Sequence, residues 1–179
     1  PDAYMVKPLT GGKLLERIER LLDKQAALAR VLTRLERKDL DGAVAECDLL
    51  LEIQPRWALE ALKLKATALF ELGKPEEAMK AFTRALAVRG DLLWARLGQA
   101  RCLLAAGRIE EARAMAEQVL EQDGRCVPAW DLLASLAEAE GRQDEALAAL
   151  NRSYEVVPSA RRSRLVGESA YRAGDLTLA

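Results

Sequence analysis

Apolar residues along this chain recur at helical spacing, and they do so in blocks. Leu14, Leu15, Ile18, Leu21 and Leu22 form one stripe near the start. Beyond it, apolar runs of helical period alternate with short polar breaks. Gly73, Gly107 and Gly141 mark three of these breaks at a constant interval of 34 residues, and Ala78, Ala112 and Ala146 keep the same interval. A looser copy with Ala43 and Pro55 comes first, one residue out of phase, and a partial copy, "RRSRLVGESAYRAGD", comes last. The pattern predicts helices over 25–37, 41–53, 57–72, 75–88, 92–106, 109–122, 127–140, 143–156 and 161–173.

Every unit has one layout. A first helix ends at a glycine able to take the left-handed conformation that closes helices. A second helix then opens on Glu76 and Glu77, Glu110 and Glu111, or Asp144 and Glu145, where unpaired backbone N–H groups favour negative charge. The alanines at 78, 112 and 146 suit a close crossing of two helices, which larger side chains would overpack.

Over residues 24–179 this layout resembles the tetratricopeptide repeat family. Ala66, Ala100 and Ala134 match the small residue within the first helix, and Ala43, Ala78, Ala112 and Ala146 match the alanine of the second. Pro55 and Pro158 match the closing proline, where Gly90 and Gly124 stand in the middle units. Lys65 and Gln99 replace a usual leucine. Ala116 replaces a usual aromatic, which predicts looser packing in the third unit. The resemblance implies an all-α fold, an α-α superhelix of about four repeats and a terminal helix, with the first helices lining a concave wall.

Pattern position puts Lys63, Thr67 and Phe70 on that wall in one unit, Trp94, Leu97 and Arg101 in the next, and Asp131, Ser135 and Glu138 in the one after, followed by Arg162 and Arg172. Such a groove suits an extended peptide or a partner helix. Trp94 either anchors that ligand or packs between repeats, whereas Trp57 and Trp130 read as structural. Some relatives grip a C-terminal carboxylate in a clamp of lysine, asparagine and arginine. Lys63 matches one place, but Thr67, Gly98 and Leu132 do not supply the others, and the mixed charge argues against one simple acidic or basic ligand.

The opening "YMVKPL" reads as a strand end, a Lys-Pro step and then a helix capped by Thr10. It resembles the end of a response-regulator receiver domain. The resemblance implies that Tyr4 is the aromatic switch residue, Lys7 the lysine that contacts the phosphoryl group, and Pro8 the proline after it. Residues 1–23 would then be a strand-plus-helix remnant of an α/β receiver and 24–179 the repeat domain. The acceptor aspartate is absent, and the whole would be the output or scaffold part of a two-component system.

Composition narrows the chemistry. Half of the 179 residues are apolar, 31% are charged, 4% are aromatic, and the formal net charge is -1. No overall positive field gathers nucleic acid. No apolar run reaches membrane-spanning length, and no nucleic-acid or membrane partner is expected. There is no histidine, no GxGxxG and no phosphate loop, so neither enzyme, metal site nor cofactor is expected. The three cysteines show no CxxC spacing and point to a reduced, cytoplasmic chain; Cys47 and Cys102 fall on apolar faces. Arg161, Arg162 and Arg164 read as the solvated start of the last helix. The last helix's outer residues Leu165, Val166 and Tyr171, like the N-terminal stripe, invite pairing with a second copy. The alternatives to a peptide-binding module are a self-assembling adaptor joined end to end and an enzyme-associated regulatory subunit.

Overall fold

The computed structural model describes residues 11–174. Among them every regular element is helical: α1 (Gly11–Glu36), α2 (Leu40–Ile53), a 3-10 turn (Pro55–Trp57) leading into α3 (Ala58–Glu71), α4 (Pro75–Val88), α5 (Leu93–Ala105), α6 (Ile109–Gln122), α7 (Val127–Ala139), α8 (Gln143–Val156) and α9 (Ala160–Ala173). Each helix packs against the next in chain order. The odd-numbered helices also touch in succession from α1 to α7, so antiparallel pairs stack side by side.

The turns follow from backbone chemistry. Gly73, Gly107 and Gly141 adopt φ of 72°, 73° and 73°, a region L side chains avoid. The amide after each glycine donates back into the helix just ended, from Lys74 to the Leu69 carbonyl, Arg108 to Leu103 and Arg142 to Ala137. The first pair makes the same turn with Lys38, at φ 58°, and Asp39 donates to Arg34. Asp39 then caps α2 by accepting from the Gly42 amide at 2.9 Å.

Ala43, Ala78, Ala112 and Ala146 are all fully buried where the helices cross. A second set of contacts joins each pair to the next. Phe82 on α4 lies against the bare backbone of Gly98 on α5, where an added Cβ would sit 2.2 Å from the ring's Cζ. One period later the sizes are reversed, with buried Ala116 on α6 and Leu132 on α7 in one cluster. Ala116 is fully buried and Leu132 nearly so, and the two belong to the same apolar cluster.

No strand exists among the described residues, and nothing in the fold corresponds to a receiver. The expected receiver helix is the first half of α1, which runs unbroken from Gly11 to Glu36. The physical reason lies in "LLDKQAALARVL", which holds no glycine, proline or turn cluster to stop a helix. Tyr4, Lys7 and Pro8 lie outside the described residues, and the two-component assignment falls with the receiver resemblance.

The last helix also differs. Leu165 and Val166 are half-buried against Trp130, Ala134, Ala149 and Leu150, so they face the array and not outward. Only Tyr171 of that trio stays open, at 71% exposure.

Candidate polypeptide-binding groove

The six residues expected on the wall of the second and third units meet in one place. Lys63, Thr67 and Phe70 on α3, with Trp94, Leu97 and Arg101 on α5, line a single open hollow of about 460 Å³. Phe82, Gly98, Pro128 and Leu132 close its floor and far end. The floor is apolar because Leu97, Gly98 and Leu132 are buried members of the stack, and the rim is polar because Lys63, Thr67 and Arg101 are exposed.

Trp94 packs between repeats and also lines the hollow. It is half-buried, with its ring meeting that of Phe82 edge to face at 6.2 Å between centroids and 62° between planes. The Lys63 ammonium stands 5.6 Å from the centre of the same ring. The indole is therefore held in place by packing while still lining the hollow. Trp57 is buried, and Trp130 donates its Nε1–H to the Gly124 carbonyl at 3.0 Å.

The wall extends beyond this hollow. Thr67 and Glu71 also line a second cavity toward Leu35 and Lys38. Lys63 and Trp94 line a third, of about 420 Å³, that reaches Arg20 and Lys24 on α1.

The remaining five residues are not gathered there. Asp131 accepts hydrogen bonds from the Ser153 hydroxyl and from Arg162 Nη2, the latter at 3.3 Å, while Arg162 Nε donates to Ser153 Oγ at 2.8 Å. Glu138 accepts from Arg172 at 3.0 Å, and Ser135 donates to the Asp131 carbonyl within its own helix. This stretch joins α7, α8 and α9, and its charged groups are matched to one another. Sequence reasoning missed Glu71, Phe82, Gly98, Pro128 and Leu132. The detectable signal was the reversal of large and small residues one period apart at 82/98 and 116/132.

No feature of the thiols suits nucleophilic chemistry. Burial pushes Cys47 up to about 12 and Cys102 up to about 11, and it raises Cys126 as well, so all three are held as neutral thiols. Among the described residues no helix is long and apolar enough to cross a membrane, and no three His, Cys, Asp or Glu side chains converge as a metal site.

Residues 69–136 match the family model described as tetratricopeptide repeat. Human protein O-mannosyl-transferase TMTC1 is 24% identical over 127 residues, 71% of this chain, and the match spans only 14% of that protein's length. Among solved structures, PilW, described as a widely conserved type IV pilus biogenesis factor, superposes with a TM-score of 0.72 at 22% identity, covering 94% of this chain and 82% of that one. TTC0263, a thermophilic TPR protein from Thermus thermophilus, gives 0.71 at 17% identity, covering 87% and 85%. MamA from Desulfovibrio magneticus gives 0.67 at 17% identity, covering 86% and 87%. The architecture that places Trp94 over this hollow is thus the superhelical fold of tetratricopeptide repeat proteins, and the family's own sequence pattern is matched over residues 69–136.

Proposed function

We propose that this chain is a non-enzymatic binding module that holds another polypeptide, as an extended segment or a helix, against the wall formed by α3 and α5. The observation that carries this reading is the apolar hollow under a ring already held in place. Trp94 is fixed by Phe82 and Lys63 yet remains open to a ligand, so little ordering is needed on binding. The fold shared with tetratricopeptide repeat proteins supports it. Photo-crosslinking groups at Thr67 and Arg101, compared with Lys80 and Glu117 on second helices of their pairs, test the assignment. Capture of a discrete polypeptide from the first two positions alone is expected. Equal capture from all four would overturn it.

One observation favours self-association as a second reading. Leu14, Leu15, Ile18, Leu21 and Leu22 are 43–61% exposed along α1. At about 100° per residue, Lys13, Arg17 and Arg20 edge this stripe on one side and Glu16, Glu19 and Asp23 on the other. A second copy laid parallel sets basic edge against acidic edge, whereas an antiparallel copy sets like against like. Light scattering of the full chain and of Ile18→Glu distinguishes the cases. A dimer that Ile18→Glu dissolves is expected, and a monomer at every concentration removes this reading.

A further inference from the structure

We propose that the groove takes an acidic polypeptide segment anchored by an apolar side chain; this rests on the binding role proposed above and names the ligand chemistry. Overall the chain is close to neutral, at -1. Its inner wall is not. The two hollows that share Lys63 and Trp94 are lined by the cations Arg20, Lys24, Arg56, Lys63, Arg89 and Arg101, against Glu60 and Glu71 as the only acids.

Pairing removes half of each sign and leaves an excess. Lys24 is matched to Glu60 at 2.7 Å, Arg56 to Asp23 at 3.5 Å and Arg89 to Asp91 at 3.3 Å. Among the described residues Arg20, Lys63 and Arg101 have no carboxylate within ion-pair distance, and Glu71 has no cation. The ring beneath Lys63 accepts its charge but takes up none of its three N–H donors in an ordinary hydrogen bond.

Farther along the same wall Asp131 and Glu138 are neutralised by Arg162 and Arg172. The mixed charge of the sequence therefore separates into a self-satisfied stretch at α7–α9 and a cationic stretch at α1–α5, and the apolar hollow lies in the cationic one. A segment with Leu, Phe or Trp in the hollow and carboxylates beside it meets both demands. Its acids form charge-assisted hydrogen bonds with Lys63 and Arg101 while its apolar side chain covers Trp94.

The test is selection from a displayed library of random peptides, each about 12 residues long, on the full chain. Enriched sequences should join an apolar residue to two or more Asp or Glu. The best of them, synthesised, should lose about tenfold or more in affinity when its acids become Gln, and likewise against Lys63→Glu combined with Arg101→Glu. Its binding should weaken as salt rises. Both substituted positions are exposed, and an unchanged melting curve shows that the double variant folds. If the Gln peptide binds equally, or if basic sequences are enriched and lost with Trp94→Ala, the ligand chemistry is wrong and the groove assignment stands. If no enriched peptide depends on Trp94, both are overturned.

Discussion

Gly98 offers the sharpest test of how the stack is built. Replacing it with alanine should help a helix, because alanine in a helix interior is favoured over glycine by about 1 kcal/mol. The structure reverses that expectation. The new Cβ would fall 2.2, 2.3 and 2.6 Å from Cζ, Cε1 and Cε2 of Phe82, whose ring is only 6% exposed. Overpacking a filled site costs about 1–3 kcal/mol, and three such contacts argue for the upper end. The net prediction for Gly98→Ala is a loss of about 2 kcal/mol. For a chain of this size that lowers the melting temperature by about 4–8 °C. The neighbouring junction supplies a matched control, since it carries Ala116 and Leu132 at the equivalent places. Phe82→Ala alone should cost about 3–5 kcal/mol through the cavity it leaves. Combined with Gly98→Leu it recreates the neighbouring arrangement and should return to within about 1.5 kcal/mol of the native chain. Thermal unfolding is followed by circular dichroism and Trp fluorescence together, because a repeat array can lose its units in turn. A more stable Gly98→Ala, or a double variant no better than the sum of its parts, would refute the reasoning.

The other predictions concern turns, charges, thiols and the groove. Lys38→Gly relieves a left-handed lysine and should stabilise the chain by about 0.5–1 kcal/mol, read as a raised melting temperature. Hydrogen bonds from Arg142 and then Arg113 hold the Glu140 carboxyl below the usual glutamate range. Its folded value is depressed, so its contribution is present above the unfolded value and lost as pH falls through the lowered one. Glu140→Gln should therefore lower the melting temperature near neutrality, with the difference from the native chain shrinking in acid. A thiol reagent should label half-buried Cys126 first, and Cys47 and Cys102 only as the chain unfolds; equal rates would contradict their burial. Trp94→Ala should cost a selected groove peptide about 30-fold or more in affinity, an anchor's share of binding energy, in a titration by fluorescence anisotropy.

Much of this architecture is legible in the sequence because a repeat writes its geometry several times over. Gly73, Gly107 and Gly141 stand in phase, and each closes a helix with positive φ. The helices expected at 75–88, 109–122 and 143–156 have those bounds. Lys63, Thr67, Phe70, Trp94, Leu97 and Arg101 lie on one hollow because residues one period apart point the same way. The failures arise where periodicity is silent. At the N-terminus the receiver resemblance implies a separate helix within the first 23 residues, whereas no helix-stopping residue lies between Leu22 and Val31 and α1 runs on to Glu36. On the wall, Asp131 pairs with Arg162 and Glu138 with Arg172, which sequence does not display because it shows charges and not their partners. Glu138 and Arg172 stand 34 residues apart with opposite signs, one period, and that spacing was the clue to their pairing. Gly98 and Leu132 stand where a clamp would need ligand groups, whereas Gly98 leaves room for the Phe82 ring and Leu132 is buried in the cluster that holds Ala116.

The most direct measurement is a crystal structure of the chain with a peptide selected on it. The account predicts peptide backbone running along α3 and α5, an apolar side chain in the hollow beside Trp94 and Phe70, and carboxylates within hydrogen-bonding distance of Lys63 and Arg101. A peptide bound on the outer helices α4 and α6, with the hollow empty, would contradict it.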